Sequence, residues 1–135
     1  MTAIVREWIG KAEGDYRLAL LGMKADDPSI YDGVCFHCQQ CIEKYLKALC
    51  VHEGIHFDKK HDLIYFLNVL VPYDSSLEFI RSLLAKLHDY AIDIRYPGTH
   101  VDKAEMRDAV KQMKAVRSIL REKLALPNPR AKKRR

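Results

Sequence analysis

The stretch Ile30-Tyr31-Asp32-Gly33-Val34-Cys35-Phe36-His37-Cys38-Gln39-Gln40-Cys41-Ile42-Glu43-Lys44-Tyr45-Leu46-Lys47-Ala48-Leu49-Cys50-Val51-His52 decides the fold. It contains no proline, and its apolar residues recur at helical spacing. Val34, Cys38, Cys41, Ile42, Tyr45, Ala48 and Leu49 make a broad apolar surface. Gln39, Gln40, Glu43, Lys44 and Lys47 read as the polar strip, with Glu43 and Lys47 an i,i+4 pair in the favourable order. Phe36 and Leu46 fall off the main stripe. A helix apolar nearly all round sits at the centre of a bundle or also meets another subunit.

The neighbouring segments are helical as well. Ile4, Trp8, Ala12, Ala19 and Met23 recur at three-to-four spacing or its multiples, predicting a helix from Ile4 to Met23. Asp15, seven residues after Trp8, falls on that buried stripe. It either finds a partner there, because an unpaired buried charge is costly, or tilts to the stripe's edge. Glu53-Gly54 ends the central helix. Leu63, Ile64, Leu67 and Leu70 form a short third helix stopped by Pro72. Asp74 or Ser75 caps a fourth, with Leu77, Ile80, Leu84, Leu87 and Ala91 buried. Asp102 and Glu105 have the spacing of a capping box and open a fifth, with Met106, Ala109, Val110, Met113, Val116, Leu120 and Leu124 inward. Short loops between long helices imply antiparallel neighbours. The expected fold is all-α, an up-and-down antiparallel bundle of four main helices plus one short helix. Apolar surface left over on the central helix predicts a homodimer.

The 135 residues fit one domain, placed at 1–126, followed by a disordered basic tail at 127–135. The formal charge of +5 is local. Arg130, Lys132, Lys133, Arg134 and Arg135 account for it, and the other 129 residues carry 18 basic and 18 acidic groups. Pro127-Asn128-Pro129 separates this tail from the last helix, and the tail either holds RNA loosely or serves as a solubilising end. No apolar run approaches a membrane span, and Arg6 and Glu7 interrupt any leader-like start, so a soluble cytoplasmic protein is expected. Cys35, Cys38 and Cys41 have C-x2-C-x2-C spacing, but in a helical run with no Gly or Pro among or after them to wrap a cluster, up to Cys50, they read as small core hydrophobes. No cofactor and no metal is expected. His52 and His56 lie four apart across Gly54, which is not a zinc pattern.

The chemistry-bearing stretch is His88-Asp89-Tyr90-Ala91-Ile92-Asp93-Ile94-Arg95-Tyr96-Pro97-Gly98-Thr99-His100. A Pro-Gly turn interrupts the helix between Arg95 and His100. Residues five apart on one helix point to separated azimuths, and a turn removes that restriction. A guanidinium stabilises phosphoryl charge and an imidazole moves protons near neutral pH. Two readings stay open from the residues alone. Either Arg95 and His100 meet over one phosphate, or Arg95 caps a helix end and His100 is solvated. His61, beginning the third helix, is either a structural hydrogen-bonding group or a contact for a nucleotide or partner.

The chain resembles the small prokaryotic HEPN-domain proteins. The matching pieces are Trp8, Ala12 and Asp15; Phe36 with the run from Gln39 to Ala48; Lys60-His61-Asp62-Leu63; and Arg95-Tyr96-Pro97. They occur in family order over about residues 4 to 124. The resemblance implies a dimeric four-to-five-helix bundle. It also implies, for catalytic members, an Arg-x(4 to 6)-His motif lining a cleft across the dimer, here Arg95 and His100. Such members are metal-independent endoribonucleases, often toxins paired with a small nucleotidyltransferase antitoxin. Tyr96 stands where they usually carry a small polar residue. The expected nucleotide- or RNA-binding residues are Tyr90, Tyr96, His61 and Lys47, the tyrosines as stacking platforms for unpaired bases. The competing expectation is a non-catalytic helical dimer that binds a nucleotide or docks a nucleotidyltransferase.

Overall fold

A computed structural model describes residues 1–93 and 96–128. The described residues form five α-helices: α1 (Ala3–Ala25), α2 (Tyr31–His52), α3 (Leu63–Leu70), α4 (Arg81–Asp93) and α5 (Lys103–Lys123). Short 3-10 turns at Pro28–Ile30 and Ser75–Ile80 lead into α2 and α4. No strand occurs among the described residues. The architecture is the expected four long helices and one short one.

Pairing directions follow from side-chain contacts. Asp15 meets Lys44 and Glu13 meets Tyr45, so α1 and α2 run antiparallel. Ser76 meets Lys123 and Tyr90 meets Asp108, so α4 and α5 are also antiparallel. Asp32 meets Val101 and Tyr45 meets Arg121, which makes α2 and α5 parallel, as alternation requires.

The centre of the bundle is α2. Thirteen of its 22 residues are buried, including Tyr45, Leu46 and all four cysteines. Burial pushes the Cys35 and Cys50 thiols up to about 12, as expected of packing groups rather than ligands. Leu46 is fully buried while Phe36 stays 45% exposed, so only one of the two off-stripe residues is left facing outward. Gln39 and Glu43, read from spacing as part of the polar strip, are buried. They are turned toward the chain that leads into α3, where partners meet them. In α1, Val5 occupies the buried stripe and Ile4 is exposed, one residue off the expected register. Gly22 matters for packing, because a Cβ there would lie 2.6 Å from a Val34 methyl where α1 and α2 approach.

Helix ends follow local chemistry. Thr2 caps α1, Asp62 caps α3, and Asp102 with Glu105 forms a complete capping box on α5. His61 therefore precedes α3 rather than beginning it. Asp74 caps the 3-10 turn, and α4 starts later than the spacing suggests. Gly54 adopts the left-handed conformation past the end of α2, at φ 70°. Pro127 is held against α5, its carbonyl accepting from Arg121. The basic residues from Arg130 onward lie outside the described residues.

Candidate functional site

Two places bring together residues singled out in the sequence. The first is the turn joining α4 to α5. The Thr99 N–H donates to the Tyr96 carbonyl at 3.2 Å, and Gly98 takes φ 86°, so Pro97-Gly98 forms the expected turn. Arg95 lies just before it, outside the described residues. Tyr96 is 64% exposed. His100 is exposed, with no hydrogen-bond or ion-pair partner among the described residues.

The chain just beyond His100 is anchored. Val101 is buried, and its N–H donates to Asp32 Oδ1 at 3.2 Å. The following residue, Asp102, caps α5. One neighbour of the imidazole is thus fixed to α2 and the next to a helix N-terminus. An exposed imidazole on a pinned backbone can exchange protons with a bound phosphate without reorganising the fold.

Tyr90 is half-buried against the core at the junction of α4 and α5. Its hydroxyl donates to Asp108 Oδ2 at 2.7 Å, tying α4 to α5. Burial, then the neighbouring carboxylate, raises the phenol above its ordinary range. The Tyr90 hydrogen bond, with help from Gln112, lowers Asp108.

The second place is the outer side of α2. Glu43, only 1% exposed, accepts from Gln39 at 3.1 Å, Lys47 at 2.9 Å and His61 Nδ1 at 3.1 Å. The two predicted residues Lys47 and His61 therefore meet on a carboxylate that spacing assigns to solvent. His61 keeps most of its ring exposed, with Nε2 as its remaining nitrogen. Lys47 also lies over the rings of Trp8 and Phe66, at 5.2 and 5.7 Å. Asp15 forms a similar group nearby, contacting His37 Nδ1 at 2.8 Å and Lys44 at 2.5 Å. The buried carboxylate of α1 thus has the partners its position demands. A third carboxylate, Glu13, receives both nitrogens of an Arg117 fork at 2.7 Å and the Tyr45 hydroxyl.

Among the described residues no cluster has the makings of a metal site. Among the described residues no helix is long and apolar enough to cross a membrane. Sequence reasoning misses the anchor Asp32 and the buried Glu43 as site residues. Asp32 carries no local signal, since its partner is 69 residues away. Glu43 is hidden by a pattern that fits an exposed i,i+4 pair.

A family model for the HEPN domain matches residues 5–123. The crystal structure of TT1696 from Thermus thermophilus is similar at 25% identity, over 90% of this chain and 99% of that one, with TM-score 0.76. That of ST0689, an archaeal HEPN homologue, is similar at 21% identity over 90% and 98%, with TM-score 0.68, a likeness of fold. No curated protein matches the chain.

Proposed function

This chain belongs to the HEPN-domain family, and from that premise we propose that it is a metal-independent endoribonuclease acting on single-stranded RNA through Arg95 and His100. The observation that carries the reading is His100, an exposed imidazole without a partner among the described residues, on a backbone pinned by Asp32 and the α5 cap. In this reaction the 2′-hydroxyl attacks the adjacent phosphorus. An imidazole removes its proton, Arg95 stabilises the phosphoryl oxygens, and a second imidazole protonates the leaving 5′-oxygen. The products are a 2′,3′-cyclic phosphate and a free 5′-hydroxyl.

The second imidazole would come from a second copy. Leu18, Leu21 and Ile30 are exposed around a groove of about 400 Å³ between α1 and the start of α2, and Phe36 is exposed one turn beyond Asp32. Asp32 holds the His100 loop, so an isologous contact through this apolar face brings two such loops toward one seam. The double variant L21D/F36D is expected to sediment as a monomer and to lose cleavage. If it sediments like the wild type, this face is not the contact.

The same apolar face supports a second reading, a non-catalytic module that docks a nucleotidyltransferase. Incubation with mixed single-stranded RNA in EDTA between about pH 6 and 8 separates the two. Cleavage to cyclic-phosphate ends supports the ribonuclease. RNA left intact at every pH, beside a protein that binds nucleotidyltransferase, supports the module.

A further inference from the structure

A concavity of about 840 Å³ runs along the outer face of α5 against the end of α1. Met23, Val110, Ala115 and Ile119 line it together with the cations Arg107, Lys111 and Lys114. These three are exposed and share one helix face at spacings of four and three. At 1.5 Å per residue they span about 10 Å of the axis.

The basic residues of α5 divide into two sets. Lys103 is paired with Asp26, Arg117 and Arg121 with Glu13, and Lys123 with Asp74. Arg107, Lys111 and Lys114 form no ion pair among the described residues. Asp108, the acid in the groove wall, is engaged by Tyr90 and Gln112. The folded body is formally neutral, so these three make a local cationic stripe, although Arg107 also acts through space on Asp26 and Lys111 on Asp108.

The groove also lies beside the proposed reaction centre. It begins at Ala104, four residues after His100, and the Tyr90–Asp108 hydrogen bond joins its wall to the last turns of α4. We propose that this groove binds the phosphodiester backbone of single-stranded RNA and leads it to the turn between α4 and α5. The cations meet phosphates while the apolar lining residues take sugar or base faces. The assignment rests on the ribonuclease reading for its direction of travel, though not for binding itself.

The test measures binding separately from cleavage. His100→Ala provides the parent, and a fluorescein-labelled 20-nucleotide oligouridylate is titrated by anisotropy between about 50 and 200 mM salt. The variant R107Q/K111Q/K114Q in that parent is expected to bind at least tenfold more weakly at the low-salt end. Its log Kd against log salt slope is expected to fall by about two, from roughly 0.7 per lost phosphate contact on a single strand. Lys111→Glu alone keeps the test alive if the triple variant folds poorly, with a slope reduced by at least about 0.7. Unchanged affinity and slope in both, or no binding by the parent, overturns the groove. So does loss of the slope only when Arg130, Lys132, Lys133, Arg134 and Arg135 are replaced by Gln, which assigns binding to the tail. Wild type that binds through the groove without cleaving refutes the ribonuclease reading alone. Cleavage that survives the groove variants undiminished refutes the groove alone.

Discussion

The Asp32 carboxylate accepts the backbone N–H of Val101 across 69 residues of sequence, at 3.2 Å. This bond fastens the turn that carries His100 to the helix at the centre of the bundle. Asp32 touches neither His100 nor any reacting atom that can be named, so it is a positioning residue. Asp32→Ala removes one hydrogen bond and a favourable acid in the first turn of α2, a loss of about 1–2 kcal/mol. Cleavage is expected to fall about tenfold in kcat with KM little changed, and Asp32→Asn, which keeps an accepting oxygen, restores most of it. Parallel melting curves and rate measurements check both parts; equal loss of rate in both variants contradicts a positioning role.

Glu43 supports a different expectation. Its carboxylate is buried under Lys47, His61 and Gln39, with Lys47 itself only 12% exposed at the side chain. Glu43→Ala leaves an ammonium with little water and no counter-ion. Breaking a buried pair in this way costs about 3–5 kcal/mol, toward the low end here because Lys47 reaches solvent. Urea unfolding is the measurement. A loss below about 1 kcal/mol means Lys47 rehydrates freely and the cluster does not stabilise the fold.

The Glu13 clasp makes stability depend on pH in the acid range. Burial alone would raise this carboxyl, but hydrogen bonds from Arg117 and Tyr45, with the charges of Arg117 and Arg121, hold it below its ordinary 4.5. A lowered folded-state value means that the contribution is fully present above pH 4.5 and is lost as pH falls through the folded value. Glu13→Gln is therefore expected to cost about 1–3 kcal/mol at pH 7 and to flatten the decline in stability below about pH 4.5. Unfolding at pH 7, 5 and 3 reads this out; a decline as steep as the wild type's places the acid sensitivity elsewhere.

The four cysteines give a chemical check on the core. Cys35, Cys38, Cys41 and Cys50 are free and buried, and burial raises every one of the four thiols. Thiolate is the reactive form, so a disulfide reagent at pH 8 is expected to find almost no reactive thiol in the native protein and four in denaturant. Rapid native labelling of Cys38 or Cys41 contradicts the packing described for α2.

The helices are legible in the sequence because burial on one face leaves a 3.6-residue signature. Leu77, Ile80, Leu84, Leu87 and Ala91 all lie inward as spaced, and the Asp102–Glu105 capping box forms as its residues suggest. Periodicity assigns faces without knowing what the chain does between helices. Glu43 and Gln39 therefore read as solvent-facing, although the segment before α3 brings His61 over them. Nothing near Tyr90 in sequence announces its hydroxyl's partner Asp108, 18 residues on. Lys47 and His61 are both suspected from the sequence, while the carboxylate on which they meet is not. The Pro97-Gly98 turn is readable from its two residues alone; its anchor at Asp32 depends on tertiary placement.

Whether Arg95 and His100 carry a reaction decides the function. The most direct measurement is the initial rate of single-stranded RNA cleavage in EDTA by wild type, Arg95→Ala and His100→Ala, with product ends identified. Wild type is expected to give 2′,3′-cyclic phosphate ends, and each variant, folded as judged by melting, to be slower by about 10²-fold or more. Variants that cleave at the wild-type rate would contradict a catalytic role for this pair.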